Sequence, residues 1–110
     1  VMDPDGPVTL PYEPGKLTVE RVGLLLSEGL DARLIAESRE RVVYHDGSES
    51  SISFHRYPDG AATFPDTRQN NPGGWVYVSN CEDRDEGEGG VGALTFNADG
   101  DIIDYKMVLT

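Results

Sequence analysis

The chain has 110 residues, the commonest size of a single domain, which leaves no room for a second full hydrophobic core. Hydrophobic residues make up 37% of it, and no stretch approaches the roughly 18 uninterrupted apolar residues that a membrane-spanning helix requires. Nine Lys plus Arg against twenty Asp plus Glu give a formal net charge of −11, which repels phosphate backbones and anionic lipid and attracts cations or basic partners.

Neither a nucleic-acid partner nor membrane insertion is expected on this charge. The acidic residues are spread evenly, with one local excess at Glu82-Asp83-Arg84-Asp85-Glu86-Gly87-Glu88. A lone Cys81 excludes an internal disulfide, so stability must come from a core, a metal or a partner. The opening Val-Met-Asp-Pro-Asp-Gly-Pro lacks the basic and apolar regions of a signal peptide. At the other end a strand-like run continues to Thr110 without a turn signal, and a fragment of a longer protein is expected.

Residues 1–16 hold four of the seven prolines, which predicts an extended arm. Lys16 to Leu26 fits neither the helical nor the strand period. Ala32 to Glu37 alternates in part and predicts a strand, and Arg41 to His45 predicts a second, closed by the turn pair Asp46-Gly47. Ser51 to Tyr57 alternates polar and apolar before Pro58-Asp59-Gly60, and with Ala61 to Phe64 it forms a hairpin candidate.

Asn70-Asn71-Pro72-Gly73-Gly74 reads as a loop, and Trp75-Val76-Tyr77-Val78-Ser79-Asn80 after it as a strand buried on both faces. An acidic, Gly-rich loop from Glu82 to Gly90 leads to Val91 to Phe96, the turn Asn97-Ala98-Asp99-Gly100, and a terminal strand from Ile102. Those last three strands predict a meander. Turn signals about ten residues apart indicate an all-β fold of sandwich, barrel or propeller type. An aromatic precedes Asp-Gly at Tyr57-Pro58-Asp59-Gly60 and again at Phe96 to Gly100, near the period of about 40 residues seen in propeller blades. The expected organisation is therefore an arm over 1–16 and, over 17–110, antiparallel meander blades of an incomplete β-propeller, with roughly two and a half blades and no closed ring.

Several constellations bear on chemistry. Glu82 ends the strongest strand, where a carboxylate could ligate a hard cation such as calcium with the Asn80 side-chain oxygen beside it. Asp83, Asp85, Glu86 and Glu88 do not form an EF-hand loop, because Glu88 and Leu94 stand where Gly and Glu are required; an acidic docking surface for a basic partner is the alternative. His45, His55 and Cys81 are too few and too scattered in sequence to specify zinc. Ser48, Ser50, Ser51 and Ser53 near the two histidines lack the Gly-x-Ser-x-Gly frame of a nucleophile elbow. Acidic neighbours disfavour a Cys81 thiolate, and Gly89-Gly90-Val91-Gly92 precedes a strand rather than the helix of a phosphate loop.

The strings Ser48 to Ala62 (SESSISFHRYPDGAA), Gly74 to Glu82 (GWVYVSNCE) and Gly89 to Leu94 (GGVGAL), with Asp104-Tyr105-Lys106, resemble the PhoX-type alkaline phosphatase-like family over about residues 30–110. That resemblance implies an exported β-propeller in which carboxylates hold calcium and iron for phosphate-monoester hydrolysis. It carries a metal-ligand role onto Glu82 and, as its neighbour, Asn80. Cys81 stands where the family often has His. The remaining ligands would lie in later blades, so the expected partners are those blades or other protein chains, and the expected location is exported or lumenal. No complete active site is expected within these residues; a non-catalytic acidic subunit docked in a larger assembly is the competing expectation.

Overall fold

A computed structural model describes residues 2–3, 6–7, 17–83 and 89–109, and every regular element among them is a β-strand. The chain divides into two compact units, Val1–Leu34 and Ile35–Thr110. In the first, β1 (Met2–Asp3) pairs antiparallel with β2 (Gly6–Pro7), inside the segment expected to be an irregular arm. The ambiguous run from Lys16 is a hairpin, β3 (Leu17–Arg21) against β4 (Leu24–Ser27). Its connection, Val22-Gly23, has φ of 45° and 84°, the left-handed pair whose twist matches that of two flanking strands. Glu20 Oε1 accepts the Gly23 N–H at 2.8 Å and fixes the turn.

The second unit contains the hairpin β5 (Arg41–Val43) with β6 (Glu49–Ser53) and a four-stranded sheet of β7 (Pro58–Pro65), β8 (Trp75–Cys81), β9 (Gly90–Phe96) and β10 (Ile102–Leu109). Sheet order is β10-β9-β8-β7, antiparallel throughout, so each strand neighbours its sequence successor. The expected meander is present and one strand longer than the sequence indicated. No closed propeller ring is formed by the described residues.

Four expectations are corrected. Residues 32–37 form no strand; Ile35 and Ala36 instead pack against the core, and only Ser38 makes a bridge, parallel to Phe54. The hairpin of 51–57 with 61–64 does not exist, because β6 already pairs with β5 and β7 pairs with β8. Pro58-Asp59-Gly60 is extended strand rather than turn, and Pro58 sits on an edge strand, where a missing N–H removes no central ladder bond. The 75–81 strand is also less buried than expected. Trp75 to Val78 are half-buried, whereas Gly92 to Phe96 of β9 are buried throughout.

Register sorts the sheet into two faces. Trp75, Tyr77, Ser79 and Cys81 of β8 lie opposite Phe96, Leu94, Gly92 and Gly90 of β9, and Ile102, Tyr105 and Met107 of β10 continue those rows. This face carries the core, in which Leu94, Phe96, Ile102 and Tyr105 cluster with Val42 and Phe54. The β5–β6 hairpin covers the outer edge of β10: His45 N–H donates to the Ile102 carbonyl at 3.0 Å, and the Tyr105 N–H donates to the Tyr44 hydroxyl at 3.0 Å. Within the hairpin, Ser50 replaces a ladder bond, its Oγ accepting the Val42 N–H at 2.9 Å and donating to the Ile52 carbonyl at 2.6 Å.

The β7–β8 connection is organised around Asp66 and Asn71. Asp66 accepts the Arg68 guanidinium in a two-pronged arrangement, with Nη2 to Oδ2 at 2.8 Å, and Arg68 followed by Asn71 holds its carboxyl well below the usual carboxylate range. Asn71, buried, donates from Nδ2 to Asp66 Oδ2 at 2.9 Å and to the Phe96 carbonyl at 3.1 Å. Gly74 is required beside it, since a Cβ there would lie 2.1 Å from Asn71 Nδ2. Asn71→Ala leaves two acceptors short of a donor, and a loss of about 1–3 kcal/mol is expected in urea denaturation at neutral pH; an unchanged midpoint would contradict this role.

Candidate functional site

The β8 terminus was the sequence-derived candidate. Asn80 is its exposed penultimate residue, and Glu82, also exposed, follows the strand with its N–H donating to the Tyr57 carbonyl at 3.1 Å. Asp83 turns inward: its carboxylate, 4% exposed, pairs with the Arg56 guanidinium, which also lies over the Tyr57 ring at 5.6 Å. Asp85, Glu86 and Glu88 lie outside the described residues. Among the described residues there is no group of three or more His, Cys, Asp and Glu side chains that could hold a metal. His45 is exposed in the Asp46-Gly47 turn, while His55 is buried, as is the Cys81 thiol, which donates to the Arg56 carbonyl at 3.0 Å.

Beneath that terminus lies a constellation that sequence reasoning missed. Ser79 Oγ is 2.7 Å from His55 Nε2, and the Tyr105 hydroxyl is 2.9 Å from His55 Nδ1. The same hydroxyl accepts the His55 N–H at 3.0 Å and donates to Met107 Sδ at 3.5 Å. The imidazole is stacked with the Tyr105 ring and tilted against Phe54, with centroids 6.1 and 4.3 Å away. Burial pushes the His55 imidazole below its ordinary range and the Tyr105 phenol above its own.

A serine hydroxyl on a histidine nitrogen has the connectivity of an activated nucleophile. Here the hydroxyl belongs to a side chain only 1% exposed, so no substrate carbonyl or phosphorus can reach it. The cluster does structural work: it ties the segment before β7 to β8 and β10. Nothing local in the sequence marks it, because the partners of His55 stand 24 and 50 residues away. The usable signal was parity, which puts Ser79 on the same face as Trp75 and Tyr77.

A cleft of about 370 Å³ opens on the same side of the sheet, lined by Ile35, Phe54, Trp75, Tyr77, Leu94 and Phe96 among others, none of them charged. Trp75 stacks on Phe96 with centroids 4.1 Å apart and planes 9° from parallel. Such a lining provides apolar contact area and no carboxylate, imidazole, thiol or basic side chain. No family model, curated protein or solved structure matches the chain.

Proposed function

We propose that the chain is a portion, about two to two and a half blades, of a PhoX-like β-propeller whose complete form is an exported, calcium-dependent phosphoester hydrolase, with β7–β10 as one of those blades. The observation that supports this reading is the sheet β7-β8-β9-β10, four consecutive antiparallel strands in sequential order, which is the composition of a propeller blade. Calcium takes six to eight oxygen ligands, and the β8 terminus offers only the Glu82 carboxylate and the Asn80 amide. These residues do not by themselves fit calcium or iron. Glu82 is therefore read as one ligand, with Asn80 beside it, of a site whose other members lie outside the described residues.

Phosphomonoester hydrolysis by the whole protein, measured with calcium, with a chelator and with Glu82→Gln, tests the assignment. The expected result is activity abolished by the chelator and reduced about 10- to 100-fold by Glu82→Gln, as for changes around other metal sites. Full calcium-dependent activity in Glu82→Gln would remove Glu82 from the site.

A second reading, a non-catalytic subunit docked in a larger assembly, is favoured by one feature. Every residue of the edge strand β7 is exposed, and such an edge pairs readily with another strand. In that case the protein associates without hydrolysing phosphoesters, and contacts made by its acidic surface weaken as salt rises.

A further inference from the structure

We propose that the buried His55–Ser79–Tyr105 cluster is an acid-sensitive latch, fastening the 35–57 segment to the four-stranded sheet while the imidazole is neutral and releasing it once the ring takes up a proton. The geometry gives the reason. A neutral imidazole has one donor and one acceptor nitrogen, and the two hydroxyls it meets, at 2.7 and 2.9 Å, can each play either part. An imidazolium has two donors. The Tyr105 hydroxyl donates to Met107 Sδ and accepts the His55 N–H, so it already takes the Nδ1 proton of the neutral ring and Nε2 is the nitrogen that gains one. The Ser79 hydroxyl, which donates to Nε2 of the neutral ring, must then turn round and accept.

Among the described residues, the added charge also finds no counter-ion in the cluster. Ser79, Tyr105 and Phe54 touch the ring and none is ionised at neutral pH. The titratable groups near it on the packed elements are the Cys81 thiol on β8, the Tyr105 phenol on β10, and Arg56 and Asp83, which pair with each other. Asp104 and Lys106 of β10 alternate with Tyr105 onto the opposite face of the sheet, and Glu37, Arg39 and Glu40, flanking the Ser38 that donates to the His55 carbonyl, are exposed. On β9, Gly92 lies against the ring, too close to admit a side chain.

The direction of the pH effect follows from burial, which depresses the folded-state affinity of His55 for a proton. Its stabilising contribution is complete above the unfolded imidazole value of about 6.5 and is lost as pH falls below it. The folded-to-unfolded ratio then drops by up to about tenfold per pH unit until the folded ring itself titrates. The chain's net charge works in the opposite sense: −11 at neutrality and a pI near 4.3 mean that mild acid relieves self-repulsion. Asp66 and Asp46, both depressed by hydrogen bonds, lose their contributions only below the ordinary carboxylate range. A loss of stability between pH 6.5 and 5 is therefore the latch's expected signature.

The experiment is an NMR titration of the two histidine rings in the intact chain, assigned with the exposed-site variant His45→Gln, alongside urea denaturation from pH 7.5 to 5.0. The expected result is a His55 signal that stays neutral well below the unfolded imidazole value of about 6.5, and a urea midpoint that falls with pH in wild type and His45→Gln alike. His55→Asn should be less stable at pH 7.5 and lose that pH dependence. Should His55→Asn fail to fold, the wild-type titration still decides. A His55 ring that titrates at or above the unfolded value of about 6.5, or an equal pH slope in folded His55→Asn, overturns the proposal.

Discussion

Gly92→Ala is expected to lower stability by about 3 kcal/mol, at the upper end of the usual cost of overpacking a core. A Cβ at residue 92 would lie 2.5 Å from His55 Nδ1, 2.8 Å from His55 Cε1 and 3.0 Å from the Tyr105 hydroxyl. None of these atoms is the loose end of a flexible chain. The imidazole is held at both nitrogens and the phenol by the His55 N–H, so the added methyl must part β9 from the cluster or break its bonds. Gly60→Ala is the control: its nearest neighbour would be Asn80 Nδ2 at 3.8 Å, an ordinary contact on an exposed edge strand. A change within about 0.5 kcal/mol is expected there. Equal urea midpoints for the two variants would contradict the described packing of His55 on β9.

Phe54→Ala should cost about 3–5 kcal/mol, the usual loss for truncating a buried aromatic residue, and that is a large share of the roughly 5–15 kcal/mol by which domains are stable. Phe54 is 8% exposed and belongs to the core cluster. Its ring centroid is 5.2 Å from that of Tyr105, and its backbone anchors the segment before β5, accepting the Arg39 N–H at 3.0 Å and donating to the Glu40 carbonyl at 2.8 Å. Phe54→Leu keeps most of the volume and should lose markedly less. If both substitutions were equally mild in denaturation, the core would not be centred on the face that Phe54 shares with Leu94 and Tyr105.

What was legible in the sequence was what local chemistry determines. The strand from Trp75 is a run of β-branched and aromatic residues, those from Val91 and Ile102 are rich in them, turn signals such as Asn-Pro-Gly-Gly and Asp-Gly separate them, and they pair in chain order. The segment at 32–37 misled because Ala32, Leu34 and Ala36 imitate alternation, while Ile35 and Ala36 are fixed by packing against the core rather than by a ladder. Pro58-Asp59-Gly60 misled because its turn chemistry is overridden by pairing with β8, which extends from Pro58 opposite Cys81 to Pro65 opposite Trp75. Burial of β8 was overestimated because Trp75 and Tyr77 line the open cleft on the core face, while Val76 and Val78 on the other face are only half-covered.

The site was less legible than the fold for a related reason. Glu82 and Asn80 stand out by position at a strand end, which the structure retains. Asp83 looked like one more acid in a charged run, yet its partner Arg56 is 27 residues away and draws it into a nearly buried ion pair. Ser79 was hidden inside an unremarkable strand and Tyr105 inside another; only the stacking of β8, β9 and β10 brings both onto His55.

The role given to Glu82 is tested most directly by a crystal structure of the protein containing this chain, grown with calcium. The account predicts cation density about 2.3–2.6 Å from a Glu82 carboxylate oxygen, with the other ligands supplied from outside the residues described above and β7–β10 forming one blade of a closed ring. An ordered Glu82 with no cation beside it, on a sheet that belongs to no ring, would contradict the account.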